Sequence, residues 1–134
     1  MRLIMLPLLL SLPLTATAVA GGSWSQQSTG GTVSVGKQLL VGRTLSSPAM
    51  ISHTALVREI GWKITLLSPP PRGLEVKLCR REGCLQLPAL AGHMTLSHPW
   101  SAIGDFRFLY SVNSTGQLIP ALTVVRNQLT VNYR

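Results

Sequence analysis

The sequence of 134 residues predicts an all-β protein, a small antiparallel β-sandwich, with a partly closed β-barrel as the alternative. Roughly seven to nine short segments alternate apolar and polar side chains, as strands with one buried face do. Glycine and proline, with 12 and 9 residues, separate these segments at close spacing. No segment shows the spacing of a convincing amphipathic helix.

The first twenty residues have the composition of a secretory signal peptide. Arg2 begins a short positive region, a leucine-rich segment interrupted by two prolines follows, and small residues lead to a cleavage site that we place after Ala20. The apolar segment is shorter than the roughly 20 residues of a membrane-spanning helix. We therefore expect residues 1–20 to be removed and residues 21–134 to form a single exported domain.

The first part of that domain is poor in apolar residues. Residues 21–31 are mainly glycine, serine, glutamine and threonine, which predicts a flexible lead-in. Trp24 is the exception, and its indole either packs on the sheet or offers an aromatic contact to a partner. Further along, strands are expected at three places: residues 32–35, residues 38–41 and about residues 61–68. Residues 43–52 are expected to be a loop.

Two cysteines lie at the tip of a predicted hairpin that follows a stiff triple-proline connector, residues 69–71. Cys79 and Cys84 enclose four residues that end in glycine, and alternating segments flank them at residues 74–78 and 85–87. Facing positions across a hairpin bring two Cβ atoms to the separation that a disulfide needs, and export supplies an oxidising compartment. We therefore predict a Cys79–Cys84 disulfide.

Two other roles for these cysteines are less well supported. A redox pair is typically Cys-x-x-Cys at the start of a helix, which this spacing does not provide. A zinc site would need two more ligands, and the three histidines show no paired spacing. We expect neither a metal nor a cofactor.

The C-terminal third predicts the remaining strands. Residues 94–96 and 106–112 are strand candidates, and residues 122–126 and 129–133 predict a closing hairpin around residues 127–128. Outward positions form a polar row that is either a partner-binding surface or a solvated face: Arg126, Thr130, Asn132 and Arg134. Inward positions supply the predicted core: Trp62, Ile64, Val76, Leu78, Phe106, Phe108, Tyr110, Val124, Leu129, Val131 and Tyr133.

The charge balance restricts the class of partner. The whole chain has 12 Lys and Arg against 4 Asp and Glu, and loss of Arg2 leaves 11 basic side chains. This charge either attracts an acidic partner, such as an anionic membrane, a cell-wall polymer or an acidic protein face, or simply keeps the domain soluble. Seven scattered aromatic residues and the expected export argue against nucleic-acid binding. No paired-carboxylate motif, nucleophile elbow or phosphate-binding loop is present, so we do not expect an enzyme.

The C-terminal stretch, residues 116–134, ends in Asn-Tyr-Arg and resembles the end of the flagellar FlhE family. Residues 73–79 together with Cys84 also resemble that family, and the similarity extends over about residues 69–134 while it is weak in residues 21–52. This resemblance implies a periplasmic accessory protein of the bacterial flagellum, associated with the export apparatus and without catalytic residues.

The same resemblance implies a chaperone-like role. The partners would be export, rod, hook or filament components, kept from premature assembly in the periplasm, and proton leakage through the export apparatus would be limited. Contact with the inner membrane surface or with peptidoglycan is left open, as is the oligomeric state. The alternative function is a carbohydrate- or cell-wall-binding module, for which Trp24 and Trp100 are the candidate aromatic contacts.

Overall fold

Residues 21–134 are described by the structure, a computed structural model, and the predicted signal peptide of residues 1–20 lies outside the described residues. The described residues contain no α-helix, and so none that is long and apolar enough to cross a membrane. In chain order the strands are β1 (Gly22–Ser28), β2 (Thr32–Val35), β3 (Leu40–Val41), β4 (Leu45–Ser46), β5 (Val57–Leu66), β6 (Leu74–Arg80), β7 (Gly83–Leu87), β8 (Ala91–Thr95), β9 (Asp105–Val112) and β10 (Gln117–Tyr133).

These strands form two five-stranded antiparallel sheets that pack together. Sheet 1 has the order β1-β10-β5-β8, and β2 also pairs with β10. Sheet 2 has the order β3-β9-β6-β7, and β4 also pairs with β9. The predicted β-sandwich is confirmed, and the sheets do not close into the alternative barrel.

The core lies between the sheets and contains most of the predicted side chains. All the predicted core residues are buried except Tyr133, which is partly buried against the same cluster. The ring of Phe106 contacts Trp24 edge-on, with centroids 5.4 Å apart, and lies 6.3 Å from the ring of Trp100. Each large aromatic side chain removed from water contributes about 3 kcal/mol, so this cluster holds the sheets together at one end.

Strand β1 replaces the flexible lead-in, so that prediction is wrong for most of residues 21–31. Its seven residues pair continuously with β10, from Gly22 opposite Tyr133 to Ser28 opposite Asn127. Trp24 faces the core, and its Nε1 donates a hydrogen bond to the carbonyl of Ala102 at 3.0 Å. Main-chain hydrogen bonds and one buried indole therefore order a segment whose composition is that of a linker.

The predicted closing hairpin is also wrong, because β10 runs without a turn through residues 127–128. Its ladder with β5 shifts register between Val124 and Arg126. Asn127 is fully buried, receives a hydrogen bond from the Tyr110 hydroxyl of sheet 2, and donates through Nδ2 to Ser28 Oγ at 3.1 Å. The polar pair that suggested a turn thus contains a buried link between the two sheets.

Other elements differ from expectation mainly at their ends. Strand β5 begins four residues before the expected start, β3 is shorter than residues 38–41, and the loop expected at residues 43–52 contains the two-residue strand β4. The hairpin of β6 and β7 is tighter than predicted, because the strands extend to Arg80 and Gly83. Cys79 lies opposite Cys84 in this ladder.

Candidate functional site

The predicted polar row lies on the outer face of sheet 1. Along the second half of β10, Leu129 and Val131 face the core, while Arg126, Thr130 and Asn132 occupy the alternate, outward positions. Arg134 is exposed just beyond the strand, where its main chain exchanges two hydrogen bonds with Leu56, at 3.0 and 3.1 Å. The structure therefore brings the predicted residues together along one line of the surface.

Neighbouring strands complete this face with residues that sequence reasoning missed. Thr130 lies between Ser25 of β1 and Gly61 of β5, and the hydroxyls of Thr130 and Ser25 are 2.8 Å apart. Farther out, His93 of β8 lies opposite Gly61. Lys63, on β5, is directed outward between the buried Trp62 and Ile64. No local motif marks these residues, because strand pairing between distant segments brings them together.

Two adjoining depressions give this face its shape, and we call them together the outer groove. The first has a volume of about 620 Å³, and its lining includes Ser25, Gly61, Lys63, His93 and Thr130. The second, also about 620 Å³, meets the first at Asn132. Its lining includes Arg58, Glu59, Thr95 and Arg134. A Cβ atom at Gly61 would lie 3.1 Å from His93 Nδ1, so glycine leaves room for the imidazole across the groove.

The outer groove is mainly basic. Glu59 has the one acidic side chain among its described lining residues, and its Oε1 lies 3.4 Å from His93 Nδ1. Within residues 21–134, Lys63, Arg58 and Arg134 form no ion pair. The groove can therefore accept an acidic or polar chain, and the surplus positive charge favours encounter with an acidic one.

Strand β8 leaves a main-chain edge free beside the outer groove. Even-numbered residues of β8 make the ladder bonds to β5, as in the 2.8 Å bond from Leu96 N to Arg58 O just beyond its end. In an antiparallel ladder the intervening residues, Ala91, His93 and Thr95, then direct their N–H and C=O groups away from β5. Within residues 21–134, β8 has no second strand neighbour. Such an edge can pair with an extended peptide.

The predicted aromatic contacts do not lie on the surface. Trp24 and Trp100 are 5% and 3% exposed, and Trp62 is 5% exposed. Of the two roles considered for Trp24, packing is the one observed, and its assignment as an exposed partner contact is wrong. The carbohydrate-binding alternative likewise loses the two tryptophans on which it depended.

The predicted disulfide between Cys79 and Cys84 is present, with the Cα atoms 4.0 Å apart. Beside it, the guanidinium of Arg80 donates to Glu82 and to the carbonyls of Ser101 and Ile103, the last at 3.1 Å. It also lies 4.9 Å above the ring of a buried phenylalanine. This arginine fixes the hairpin to the loop before β9 and is not free for a ligand.

Titratable groups with shifted pKa values belong to structural contacts. Burial acts to raise the pKa of Glu82, but the hydrogen bond and charge of Arg80 outweigh it and hold that pKa below its usual value. Burial raises the pKa of the Tyr110 phenol, which remains a donor to Asn127. Among the described residues, no three His, Cys, Asp or Glu side chains are grouped so as to hold a metal ion.

Comparison with known proteins points to one family. Residues 30–134 match the family described as "Flagellar protein FlhE". Flagellar protein FlhE of Escherichia coli K12 is 33% identical over 126 residues, which cover 94% of this chain and 95% of that protein. The Yersinia enterocolitica protein of that name is 35% identical over 122 residues, covering 90% and 87%. A crystal structure of FlhE superimposes with a TM-score of 0.76 at 32% identity, and the match covers 85% of this chain and 97% of that one.

Proposed function

The chain belongs to the flagellar protein FlhE family, and from this membership we propose that it is a periplasmic flagellar accessory protein that acts by binding and not by catalysis. Residues 1–20 direct export and are then removed. The mature protein binds export, rod, hook or filament components in a chaperone-like way. It thereby prevents their premature assembly in the periplasm and limits proton leakage through the export apparatus.

The observation that carries this proposal is the outer groove beside the free edge of β8. A partner segment that adds to β8 pairs with the outward main-chain groups of Ala91, His93 and Thr95. Those contacts depend little on the partner's sequence, because every residue except proline offers both a donor and an acceptor. Such recognition suits a protein that has several related components to hold.

The groove adds selection by charge. Lys63 and Arg134 lie in its two depressions without an acidic partner among the described residues. A segment added at β8 lies about 4.8 Å from that strand, so long acidic side chains can reach across the edge toward the groove. Exposed charges of this kind mainly raise the association rate and are screened by salt.

The edge is tested with two substitutions at one position. His93→Pro removes an N–H that faces outward, so the ladder to β5 keeps its bonds, and proline is tolerated on edge strands at such positions. His93→Ala removes the imidazole and keeps the N–H. Tagged protein is recovered from periplasmic extract, and co-purifying rod, hook and filament proteins are quantified against an unrelated basic protein.

We expect wild type and His93→Ala to enrich flagellar components and His93→Pro to lose most of the enrichment. Near-wild-type tryptophan emission confirms that each variant is folded, because all three indoles are buried. Equal capture by His93→Pro would exclude strand addition at β8. No enrichment by the wild type would contradict the binding role itself.

The cellular part of the proposal is tested by deleting the gene. We expect filaments or hooks trapped between the membranes, and a faster fall of cytoplasmic pH when cells are placed in acid. Complementation with His93→Ala should restore both properties, whereas His93→Pro should not. A deletion strain with normal filaments, normal swimming and unchanged cytoplasmic pH would refute the accessory role.

A further inference from the structure

We propose that the outer face of sheet 2 is a second binding surface, specific for an acidic amphipathic segment of a partner polypeptide. This surface, the cationic face, contains apolar side chains with cations on one border: Leu39, Val41, Leu109, Lys77, Arg81 and Arg107. Glu75 lies on the same side of β6, two residues from Lys77 and opposite Ser111, at the end away from Arg81 and Arg107. It is formed by the other sheet of the sandwich, directed away from the core, and is separate from the outer groove. The inference therefore does not depend on the proposed function.

Strand alternation places these side chains on one face. In β9, Phe106, Phe108 and Tyr110 face the core, which directs Arg107 and Leu109 outward. In β6, Lys77 lies between the buried Val76 and Leu78 and is likewise outward. The register sets Leu109 between Val41 and Lys77. An apolar side chain is thus flanked across the sheet by another apolar side chain and by an ammonium group.

The apolar side chains of the cationic face are exposed to solvent to a large extent. Leu39 is 57% exposed and Val41 is 47% exposed, and both lie on the side of the chain opposite Leu40, which packs against the core. Leu109 is half-buried beside Val41. Neighbouring apolar side chains left open to water favour contact with another apolar surface.

A depression of about 660 Å³ lies at the end of the cationic face that contains Arg81 and Arg107. Its lining contains the apolar Val41 and Leu109, the basic Arg81 and Arg107, and Cys79. A side chain inserted here meets apolar atoms on one side and positive charge on the other.

The two arginines are available to an anion. Neither forms an ion pair within residues 21–134, in contrast to Arg80, which is bound to Glu82. Arg107 Nε donates to Thr44 Oγ1 at 2.9 Å, which orients the guanidinium while its terminal nitrogens stay free of side-chain partners. Asp105 is the one carboxylate in the described lining of this depression, and it accepts a hydrogen bond from a serine hydroxyl at 2.7 Å.

This chemistry identifies the partner class. Arginine side chains bind carboxylates through paired, charge-assisted hydrogen bonds, and the adjoining apolar floor accommodates a Leu, Val or Ile side chain. The depression is concave, so a side chain can enter it, whereas a bilayer surface would contact only the rim. An extended segment with acidic and aliphatic side chains close together satisfies both parts of the cationic face.

The test uses the exported protein purified from the periplasm and a soluble synthetic peptide in which two Glu-Leu pairs are embedded in Ser and Gly. A second peptide has Gln in place of each Glu. Backbone amide shifts are followed by NMR, and affinities are taken from the titrations. Arg81→Gln and Arg107→Gln are compared with Arg72→Gln, which removes the same charge from the exposed loop between β5 and β6.

We expect shifts concentrated at Val41, Arg81, Arg107 and Leu109. Each of the two sheet 2 variants should weaken binding about tenfold, the low end for one charge-assisted hydrogen bond. Arg72→Gln should leave the affinity unchanged. The Gln peptide should bind at least about tenfold more weakly, because it lacks the charge-assisted hydrogen bonds. Arg81 has no side-chain hydrogen bond among the described residues, so its variant should keep the fold.

Three outcomes would overturn the proposal. Shifts confined to sheet 1, or equal weakening by Arg72→Gln, would show that the peptide does not recognise the cationic face. No saturable shift would show that the face does not bind such a segment. In a third arm, vesicles of phosphatidylglycerol and phosphatidylcholine replace the peptide. Vesicle binding that needs Arg81 and Arg107, with no binding of the peptide, would assign the face to a lipid surface instead.

Discussion

The buried hydrogen bond between Tyr110 and Asn127 allows a quantitative test of how the sheets are held together. Tyr110 projects from β9 of sheet 2 and Asn127 from β10 of sheet 1, and neither side chain is exposed. The tyrosine hydroxyl donates to Asn127 Oδ1, and the asparagine amide reaches Ser28 Oγ. We consider Tyr110→Phe, Asn127→Leu and the double variant, because phenylalanine keeps the ring of tyrosine and leucine keeps the branching of asparagine.

The structure sets the size of each effect. Tyr110→Phe leaves Asn127 Oδ1 buried without its donor, and Asn127→Leu leaves the Tyr110 hydroxyl buried without an acceptor. Each unpaired buried group should lower the free energy of unfolding by about 1–3 kcal/mol. The double variant leaves neither group of this pair unsatisfied. Its loss should therefore be smaller than the sum of the single losses by about 1–2 kcal/mol.

Urea unfolding followed by tryptophan emission measures these free energies, since all three indoles leave the core on unfolding. The four proteins are compared at one pH with a common m-value. A double variant whose loss equals the sum of the two single losses would show no coupling. The hydrogen bond would then not link the sheets energetically, and the argument from burial would be refuted.

Four further predictions concern the same core and the hairpin beside it. Because burial raises the pKa of Tyr110 above its usual 10.0, the unfolded chain loses this proton first as pH rises. The neutral phenol therefore contributes stability that is fully present below about pH 10 and is lost as pH rises through the higher pKa of the folded state. In urea unfolding, the free energy of unfolding of Tyr110→Phe should fall less at alkaline pH than that of the wild type. Arg80→Met should cost about 2 kcal/mol in urea unfolding, because two carbonyl contacts and the ring contact are lost. Glu82→Gln should lower the free energy of unfolding by less than about 1 kcal/mol, since its ion pair with Arg80 is partly exposed. This difference from the wild type should disappear as pH falls below 4.5 and through the lowered pKa of Glu82. Equal losses for Arg80→Met and Glu82→Gln would contradict this account. Trp24→Ala should cost about 3–5 kcal/mol by opening a cavity, whereas a flexible lead-in would give no loss.

Local patterns predicted those parts of the fold that depend on neighbours in sequence. The alternation on both sides of Cys79 and Cys84 predicted a hairpin and a disulfide, and both are present. The alternation in residues 106–112 predicted β9 to within one residue. In these segments burial on one face imposes a period of two on the sequence, so the pattern and the structure have the same cause.

The errors arose where a distant segment decides the structure. Asn127 is typical of a turn, but it is buried because two distant residues supply hydrogen-bond partners: Tyr110, seventeen positions earlier, and Ser28, 99 positions earlier. Residues 22–28 read as a linker because their side chains are polar, yet β10 supplies the main-chain partners that order them. The composition of a segment indicates whether its side chains favour burial or solvent. It contains little information about which distant strand is available to pair with the segment.

In the candidate site, too, local patterns predicted some features and missed those that depend on distant strands. Alternation predicted correctly that Arg126, Thr130 and Asn132 share a face. It did not predict that Gly61 and His93 lie beside them, since those positions depend on the strand order of sheet 1. The cationic face went unnoticed for a related reason. Its charges come from β6, β9 and the hairpin turn, and no single segment contains them all.

Hydrogen bonds join the two sheets at one side of the sandwich. At the β1 and β2 side, Trp24 Nε1 bonds to the loop before β9, and Lys37 N donates to the carbonyl of Val112 at 2.8 Å. Strands β7 and β8 are the outermost strands at the other side, each with one strand neighbour among the described residues. Strand β8 borders the outer groove, while β7 pairs with β6 next to the cationic face. A partner segment that adds to β7 or β8 can therefore reach the cationic face or the outer groove from the same side of the sandwich.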